Sequence, residues 1–426
     1  MYIKSIDIQN YCGIEKLNLE FQQGINLLIG NNGAGKTSLL TALAITISEP
    51  LSLITVKKGA IASVGIGENA YTTTSLVGDT VVQTISHYPV TIKSNINVDN
   101  TDYIFQTTKK SISTIEQQSG YELHVFFRDS IGNPQIAMPL LCFLRAGRGK
   151  AVKGKTTTVT LAIGEVERSQ GYRGAFTGEL NMEEIQNWCI QMDFAAYQQK
   201  REITEYKAFQ EIVSRFISLM DEKAVNPKLY YSSSAGSIVY FDGTTEQPLY
   251  QLSAGYQAVL CMAIELAYRA VILNPVMDDI ASKTEGVVLI DEIEMHLHPA
   301  WQWKILNALK NTFPKVQFII ATHSPIILSS ANGAALYLMK SPNDVHLIDN
   351  VYGYNISDIL TLPQGTYDLP KEISTYYDDA EIILDRGTEA QLDELLSKAE
   401  KELADSPEVL KAFIDFVEIN RWVEDA

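Results

Sequence analysis

Cysteine is scarce in this 426-residue chain. The four present, Cys12, Cys142, Cys189 and Cys261, stand far apart, which excludes a cysteine-ligated metal site and reads as reduced thiols of a cytoplasmic protein. Long apolar runs are missing as well. No stretch approaches the ~18 residues of a membrane-spanning helix. The first residues, Tyr2-Ile3-Lys4-Ser5-Ile6-Asp7-Ile8, enter a strand pattern with no signal-peptide character. Internal repeats and low-complexity segments are absent. Positive charge is in short supply: 34 Lys and Arg face 51 Asp and Glu, for a net charge of −17. So acidic a surface repels phosphate backbones at long range, which argues against constitutive nucleic-acid binding. The deficit is uneven. Acids crowd the segment after Thr366, whereas Arg145, Arg148, Lys150, Lys153 and Lys155 fall together without one acid, so a local basic contact surface stays open.

What is present starts with Gly30-Asn31-Asn32-Gly33-Ala34-Gly35-Lys36-Thr37-Ser38, a match to G-x-x-x-x-G-K-[ST]. Its flanks are those of a phosphate loop. Ile25, Leu27, Leu28 and Ile29 precede it as a short buried strand, and Leu39, Leu40, Leu43 and Ile45 follow as an apolar helix. Glycines let consecutive N–H groups turn toward phosphates, aided by the dipole at the helix N-terminus. Lys36 is expected to reach the β/γ-phosphates and Thr37 to sit on Mg²⁺. The chain is expected to bind a nucleoside triphosphate.

Around this loop the pattern reads as α/β, with a hydrophobic fraction of 46% and room for one large domain with appendages or for two domains. Residues 1–29 suggest two strands with a turn at Asn10-Tyr11-Cys12-Gly13. From about Thr73 to Arg128 the period shifts to two, predicting an antiparallel meander that includes a strand at Tyr121 to Phe127. Met182 to Lys223 is helical, Leu229 to Tyr250 returns to strands, and Ala335 to Met339 finishes the sheet. In the acidic tail, one stripe (Leu392, Leu395, Leu396, Ala399, Leu403) and another (Leu410, Phe413, Ile414, Val417) flank a Ser406-Pro407-Glu408 helix start, predicting a helical hairpin.

Three further motifs follow in order. Leu252-Ser253-Ala254-Gly255-Tyr256-Gln257 runs into the apolar helix Ala258 to Ile272. Gly286-Val287-Val288-Leu289-Ile290-Asp291-Glu292 is an apolar strand ending in acids, where Asp291 can support Mg²⁺ and Glu292 can polarise a water. Phe318-Ile319-Ile320-Ala321-Thr322-His323 is a second buried strand, ending in a polar histidine.

With phosphate loop, Leu-Ser-x-Gly, Asp-Glu and Thr-His in that order, the chain resembles the ATP-binding-cassette superfamily, and within it the heads of the chromosome-maintenance and RecF-type ATPases. The wording Asp291-Glu292-Ile293-Glu294-Met295-His296-Leu297-His298-Pro299, with the short insertion and the tail, resembles the stand-alone ATPases of anti-phage systems. These are the PtuA-like ATPases of Septu and retron systems, the PARIS ATPase, and the overcoming-lysogenization-defect type without its Toprim nuclease.

The resemblance implies a composite site. Lys36, Thr37 and the amides of Gly30 through Ser38 would hold ATP·Mg²⁺, with Thr37 and Asp291 at the metal. Glu292 would be the general base and His323 would contact the γ-phosphate. Ser253 and Gly255 would reach the partner's nucleotide in a homodimeric ATP sandwich, with higher oligomers allowed. His296 and His298 would lie in the D-loop at that interface, although the same pair taken alone reads as zinc-ligand spacing. Ala254 stands where the common signature has glycine, and Cys12 where many relatives have a basic residue. Gln135 and Gln170 both remain as Q-loop glutamines. Adjacent Asp378-Asp379 without Asp-x-Asp argues against a nuclease of the chain's own.

The implied organisation is an N-terminal ATPase lobe (1–180), a helical insertion or lid (181–225), a C-terminal lobe (226–350), and an acidic helical tail for assembly (351–426). The implied function is an ATP-driven dimeric switch of a defence system acting with a separate effector, in the cytoplasm and without a membrane. The alternative is a repair or chromosome-maintenance ATPase that clamps DNA directly. A transporter subunit is disfavoured by the long meander and helices between Lys36 and Ser253.

Overall fold

Four strands are buried at every position: β3 (Ile25–Ile29), β11 (Leu140–Leu144), β15 (Gly286–Ile290) and β16 (Val316–Thr322). Strands this apolar, interrupted only by Asn26 in β3 and by Gln317 and the terminal Thr322 in β16, suit a parallel sheet covered on both faces. With β17 (Ala335–Ser341) and β18 (Asp344–Ile348) they form a six-stranded sheet in the order β11-β15-β16-β3-β17-β18. Every pairing is parallel except the edge hairpin of β17 and β18. The computed structural model describes residues 1–56, 59–77, 80–114, 116–146, 167–177, 182–354, 359, 371–386, 388–403, 410–411, 413–414 and 416–417.

A five-stranded antiparallel sheet lies in the order β10-β9-β8-β1-β2, built from β1 (Tyr2–Tyr11), β2 (Ile14–Glu20), β8 (Val90–Val98), β9 (Thr101–Lys109) and β10 (Gln117–Ser119). Buried side chains tie the two sheets. Tyr337 on β17 donates its hydroxyl to the Glu20 carbonyl of β2 at 2.8 Å. Gln317 on β16 accepts from the Ile3 N–H at 2.8 Å and donates to the Ile3 carbonyl at 2.9 Å. Such a two-way amide bond satisfies backbone groups that burial would otherwise leave orphaned.

Two expectations need correction here. The meander does not run unbroken from Thr73: β6 (Thr72–Val77) and β7 (Thr80–Ser86) make a separate two-stranded sheet, and only the strands from Val90 onward join β1. Tyr121 to Phe127 is not a strand but the start of helix α2 (Tyr121–Ile131), preceded by Gly120 in left-handed backbone (φ 91°). Its buried positions, Leu123, His124, Phe127 and Ser130, recur with helical spacing. Alternation of Leu123, Val125 and Phe127 mimics a strand only while the segment is read alone.

Helix α1 (Lys36–Ser48) follows β3 and buries ten residues. The expected helical stretch is two helices, α3 (Met182–Gln199) and α4 (Thr204–Met220). Trp188 meets Phe209 at 5.2 Å and Tyr268 at 5.3 Å between ring centroids, both edge-on, which seats the pair on helix α5 (Ala254–Leu273). Helix α5 is long and apolar enough to cross a membrane, but 89% of its most apolar window is buried inside the protein. Its Glu265 and Arg269 pair at 2.8 Å while Arg269 also donates to the carbonyls of Gly171 and Arg173, so that buried charge is fully engaged.

The chain divides into two compact units, Met1–Tyr354 and Asn355–Ala426. Following the short helices α6 (Ile280–Lys283), α7 (Pro299–Gln302), α8 (Ile305–Thr312) and α9 (Pro325–Ser329), the second unit holds α10 (Lys371–Arg386) and α11 (Glu389–Glu402). Tyr376 and Ala380 of α10, Leu392, Leu395 and Ala399 of α11, and Phe413 and Val417 share one apolar core. The two expected stripes, Leu392, Leu395 and Ala399 on α11 and the helical Leu410, Phe413 and Val417, do pack in one core, and α10 joins them as a further helix. The expected helix start at Ser406-Pro407-Glu408 lies outside the described residues, as do Arg148, Lys150, Lys153 and Lys155.

A candidate nucleotide-binding site

In open α/β sheets the ligand crevice lies at the carboxyl ends of the strands. Here β3, β15 and β16 end side by side: Thr322 is level with Ile29, Ile320 with Ile290, and Ile290 with Leu144. The residues expected at the site follow these ends directly.

The loop after β3 is tight. Gly30 has φ 156°, and a Cβ there would meet the Met339 carbonyl oxygen of β17 at 2.3 Å. Gly35, the residue before α1, has φ 94° in the left-handed region. The tip residues Asn31, Asn32 and Gly33 are exposed, while Ala34 is buried under them. No acid occupies the first turn of α1, so no carboxylate there would repel a phosphate at the positive end of the helix. Lys36 folds back along the loop, donating to the Gly30 carbonyl at 2.5 Å and the Asn31 carbonyl at 3.1 Å. Burial holds its ammonium below the ordinary value, against the pull of the carboxylates of Glu294, Asp291 and Glu292. Ser38 follows, half-buried on the helix.

Thr37 donates its hydroxyl to Asp291 Oδ2 at 2.9 Å, and the Asp291 N–H donates to the Leu144 carbonyl at 2.9 Å. Glu292 sits in left-handed backbone at φ 47°, a conformation uncommon for a residue with a side chain. The chain then folds in a turn, with Ile293 N–H bonded to the Ala321 carbonyl and Leu297 N–H to that of Glu294. His323 ends the neighbouring strand with its side chain 55% exposed and Nδ1 at 2.7 Å from Glu294 Oε1.

Ser253 and Gly255 lie at the start of α5. The Ser253 side chain is exposed and accepts the Tyr256 N–H as an N-cap. Gly255 abuts the turn after Glu292, where a Cβ would come within 2.8 Å of the His296 carbonyl oxygen. Tyr256 packs edge-on against Trp301 at 4.4 Å and donates its phenol to Asp221, just beyond α4, at 2.6 Å. His298 caps α7, its Nδ1 accepting the Ala300 N–H, and His296 is exposed on the turn. Among the described residues, no three His, Cys, Asp or Glu gather as a metal cage.

Gln135 is exposed before β11, and Gln170 lines a small cavity with Arg173, Glu184 and Arg269. Arg145 follows the last paired residue of β11, Leu144, as Asp291 follows Ile290 on β15, and it stacks over the Phe143 ring at 5.0 Å. Sequence reasoning also passed over Glu294, whose partners belong to another strand.

A family model described as an AAA domain matches residues 5–230, and a second AAA-domain model, described with the AbiEii toxin of type IV toxin–antitoxin systems, matches 194–329. The chain is 23% identical over 421 residues to the "Retron Vc95 probable ATPase" of Vibrio cholerae serotype O1 biovar El Tor, covering 84% of this chain and 78% of that protein. It is 24% identical over 389 residues to the Septu protein PtuA of Bacillus thuringiensis, covering 84% and 83% respectively. Among solved structures, the Smc head bound to the C-winged helix domain of ScpA is 13% identical, with 82% of this chain and 98% of that one aligned at a TM-score of 0.49.

Proposed function

Because the chain belongs to the AAA domain family, whose model spans its phosphate loop, we propose that it is an ATPase of an anti-phage defence system. We read it as a cytoplasmic, ATP-driven dimeric switch that acts with a separate effector protein. Relatives described as a retron ATPase and as Septu PtuA, each aligned over 84% of this chain, support the defence setting.

One observation carries the chemistry: the Thr37–Asp291 hydrogen bond beside the Lys36 ammonium. A hydroxyl and one carboxylate are hard oxygen donors, and Mg²⁺ takes few protein ligands when phosphates and water complete its shell. The residues therefore fit ATP with Mg²⁺. Mg²⁺ would neutralise charge on the phosphates when bound. Lys36 would leave its loop carbonyls for phosphate oxygens, and the amides of Gly30 to Ser38, at the head of α1, would donate to them. Glu292 would orient and deprotonate the attacking water, and His323 would contact the terminal phosphate. Ser253 and Gly255 would serve the nucleotide held by a second copy of the chain, which makes turnover depend on association.

The decisive comparison is between two variants. Lys36→Ala should abolish ATP binding, whereas Glu292→Gln should bind ATP like the unaltered protein yet stall hydrolysis by about 10²-fold or more. Wild-type turnover in Glu292→Gln would remove Glu292 as the base.

A further inference from the structure

The carboxylate of Glu294 is 8% exposed and spends both oxygens on the strand that carries His323. Oε2 accepts the Thr322 hydroxyl at 2.8 Å. Oε1 accepts the His323 backbone N–H at 2.7 Å and lies 2.7 Å from its ring Nδ1. Three contacts from one buried group fix the end of β16, the peptide of His323 and the plane of its imidazole.

We infer that Glu294 is a positioning residue that presents His323 to the nucleotide, an inference that rests on the reading of His323 given above. Nδ1–H donating to a carboxylate selects one ring tautomer and points the opposite nitrogen, Nε2, away from Glu294. An imidazole held at one nitrogen loses the rotation that would otherwise blur its contact with a reacting group, and such supporting bonds change rates by about 10–100-fold when removed.

Two further facts give this carboxylate more than a bracing role. Its charge is the largest of the three carboxylate charges that act on the buried Lys36 ammonium. It also sits in the turn whose His296 carbonyl abuts Gly255, the segment proposed to meet the partner's nucleotide. The turn connects the interface to the histidine through two residues of chain.

The test uses the full chain in four forms: Glu294→Gln, Glu294→Ala, His323→Ala and the Glu294→Ala/His323→Ala double variant. Steady-state hydrolysis and equilibrium ATP binding are measured for each. Glu294→Gln should lower kcat by about 10–100-fold while ATP affinity stays within about twofold. The double variant should be no slower than His323→Ala alone, because a residue acting through the histidine has nothing left to position. Multiplying losses in the double variant would mean that Glu294 only braces the fold, and would overturn the inference. Wild-type kcat in Glu294→Gln would overturn it too. If His323→Ala alone keeps wild-type kcat, both this inference and the role of His323 fall, while Lys36→Ala still decides the ATPase reading separately. Should Glu294→Ala fail to fold, Glu294→Gln paired with His323→Ala closes the same cycle.

Discussion

Thr37 and Asp291 are 254 residues apart in sequence and share a 2.9 Å hydrogen bond from hydroxyl to carboxylate. The bond joins the first turn of α1 to the end of β15 and brings together the two oxygens proposed to share one cation. Thr37→Ala should therefore raise the Mg²⁺ concentration for half-maximal hydrolysis by about tenfold or more, and Thr37→Ser should restore it. Titrating Mg²⁺ at saturating ATP checks this. An unchanged Mg²⁺ requirement in Thr37→Ala would show that the pair is structural only.

Ser253 is exposed at the head of α5, free of any packing role beyond its helix cap. If a second copy buries it against nucleotide, Ser253→Arg should leave ATP binding intact while preventing dimer formation, since a desolvated seam does not admit an unpaired cation. Light scattering of Glu292→Gln with ATP, with and without Ser253→Arg, reads the mass directly. Equal masses would sink the composite site.

Asp193 on α3 accepts the Tyr206 hydroxyl at 3.3 Å, and burial raises its carboxyl to about 6. The folded value lies above the ordinary ~3.9 of the unfolded chain, so the folded state binds the proton more tightly. The cost of ionisation is absent below about pH 4, grows as pH rises through 6, and is fully present above it. Asp193→Asn should then raise Tm by about one to two degrees at pH 7.5, a modest gain because solvent reaches the half-buried carboxyl, and by less at pH 4.5. Thermal melts at the two pH values separate these cases, and a gain that grows toward low pH would contradict the assignment.

The first unit ends on its own bonds: the Gly353 N–H reaches the Ser329 carbonyl at 2.9 Å, and the Ser329 hydroxyl reaches the Tyr354 carbonyl at 2.7 Å. The second unit has its own core around Phe413, Leu392 and Tyr376. A chain ending at Tyr354 should therefore fold and keep ATP hydrolysis within about twofold, while losing higher assembly or capture of the effector. Chromatography with light scattering, alongside an ATPase assay, reads both. Aggregation or loss of hydrolysis would make residues beyond Tyr354 part of the catalytic body.

Much of this was legible in residue order. The strands that lead to the phosphate loop, Asp291 and His323 are mostly apolar runs followed at once by polar groups, the pattern that burial on both faces favours, with Asn26 and Gln317 as buried polar exceptions. Glu294 was not legible, because its meaning lies in Thr322 and His323 on a strand 28 residues away. Helix α2 was misread because Val125 and Phe126 blur the helical spacing of Leu123 and Phe127. Helix α10 hid its stripe of Tyr376 and Ala380 among Asp378, Asp379 and Glu381. Arg145 stood out only as one of several basic residues, and only the pairing of Leu144 with Ile290 shows that it and Asp291 leave neighbouring strands together.

The position of β3 also bears on how the protein is made. Its neighbours on both sides, β16 and β17, come from the far end of the first unit, with Phe318 lying 292 residues after Asn26. At ribosomal speeds of about 5–20 residues per second, the strand bearing the phosphate loop leaves the ribosome roughly a quarter of a minute to a minute before either flanking strand exists. During that interval an apolar strand has no place in its sheet, while the β1–β2 hairpin can already close beside it. Folding of the nucleotide loop is therefore a late event that waits on distant pairings, slow in the manner of parallel sheets. A ribosome stalled before β16 would hold a chain with its phosphate loop complete in sequence and unable to grip a nucleotide.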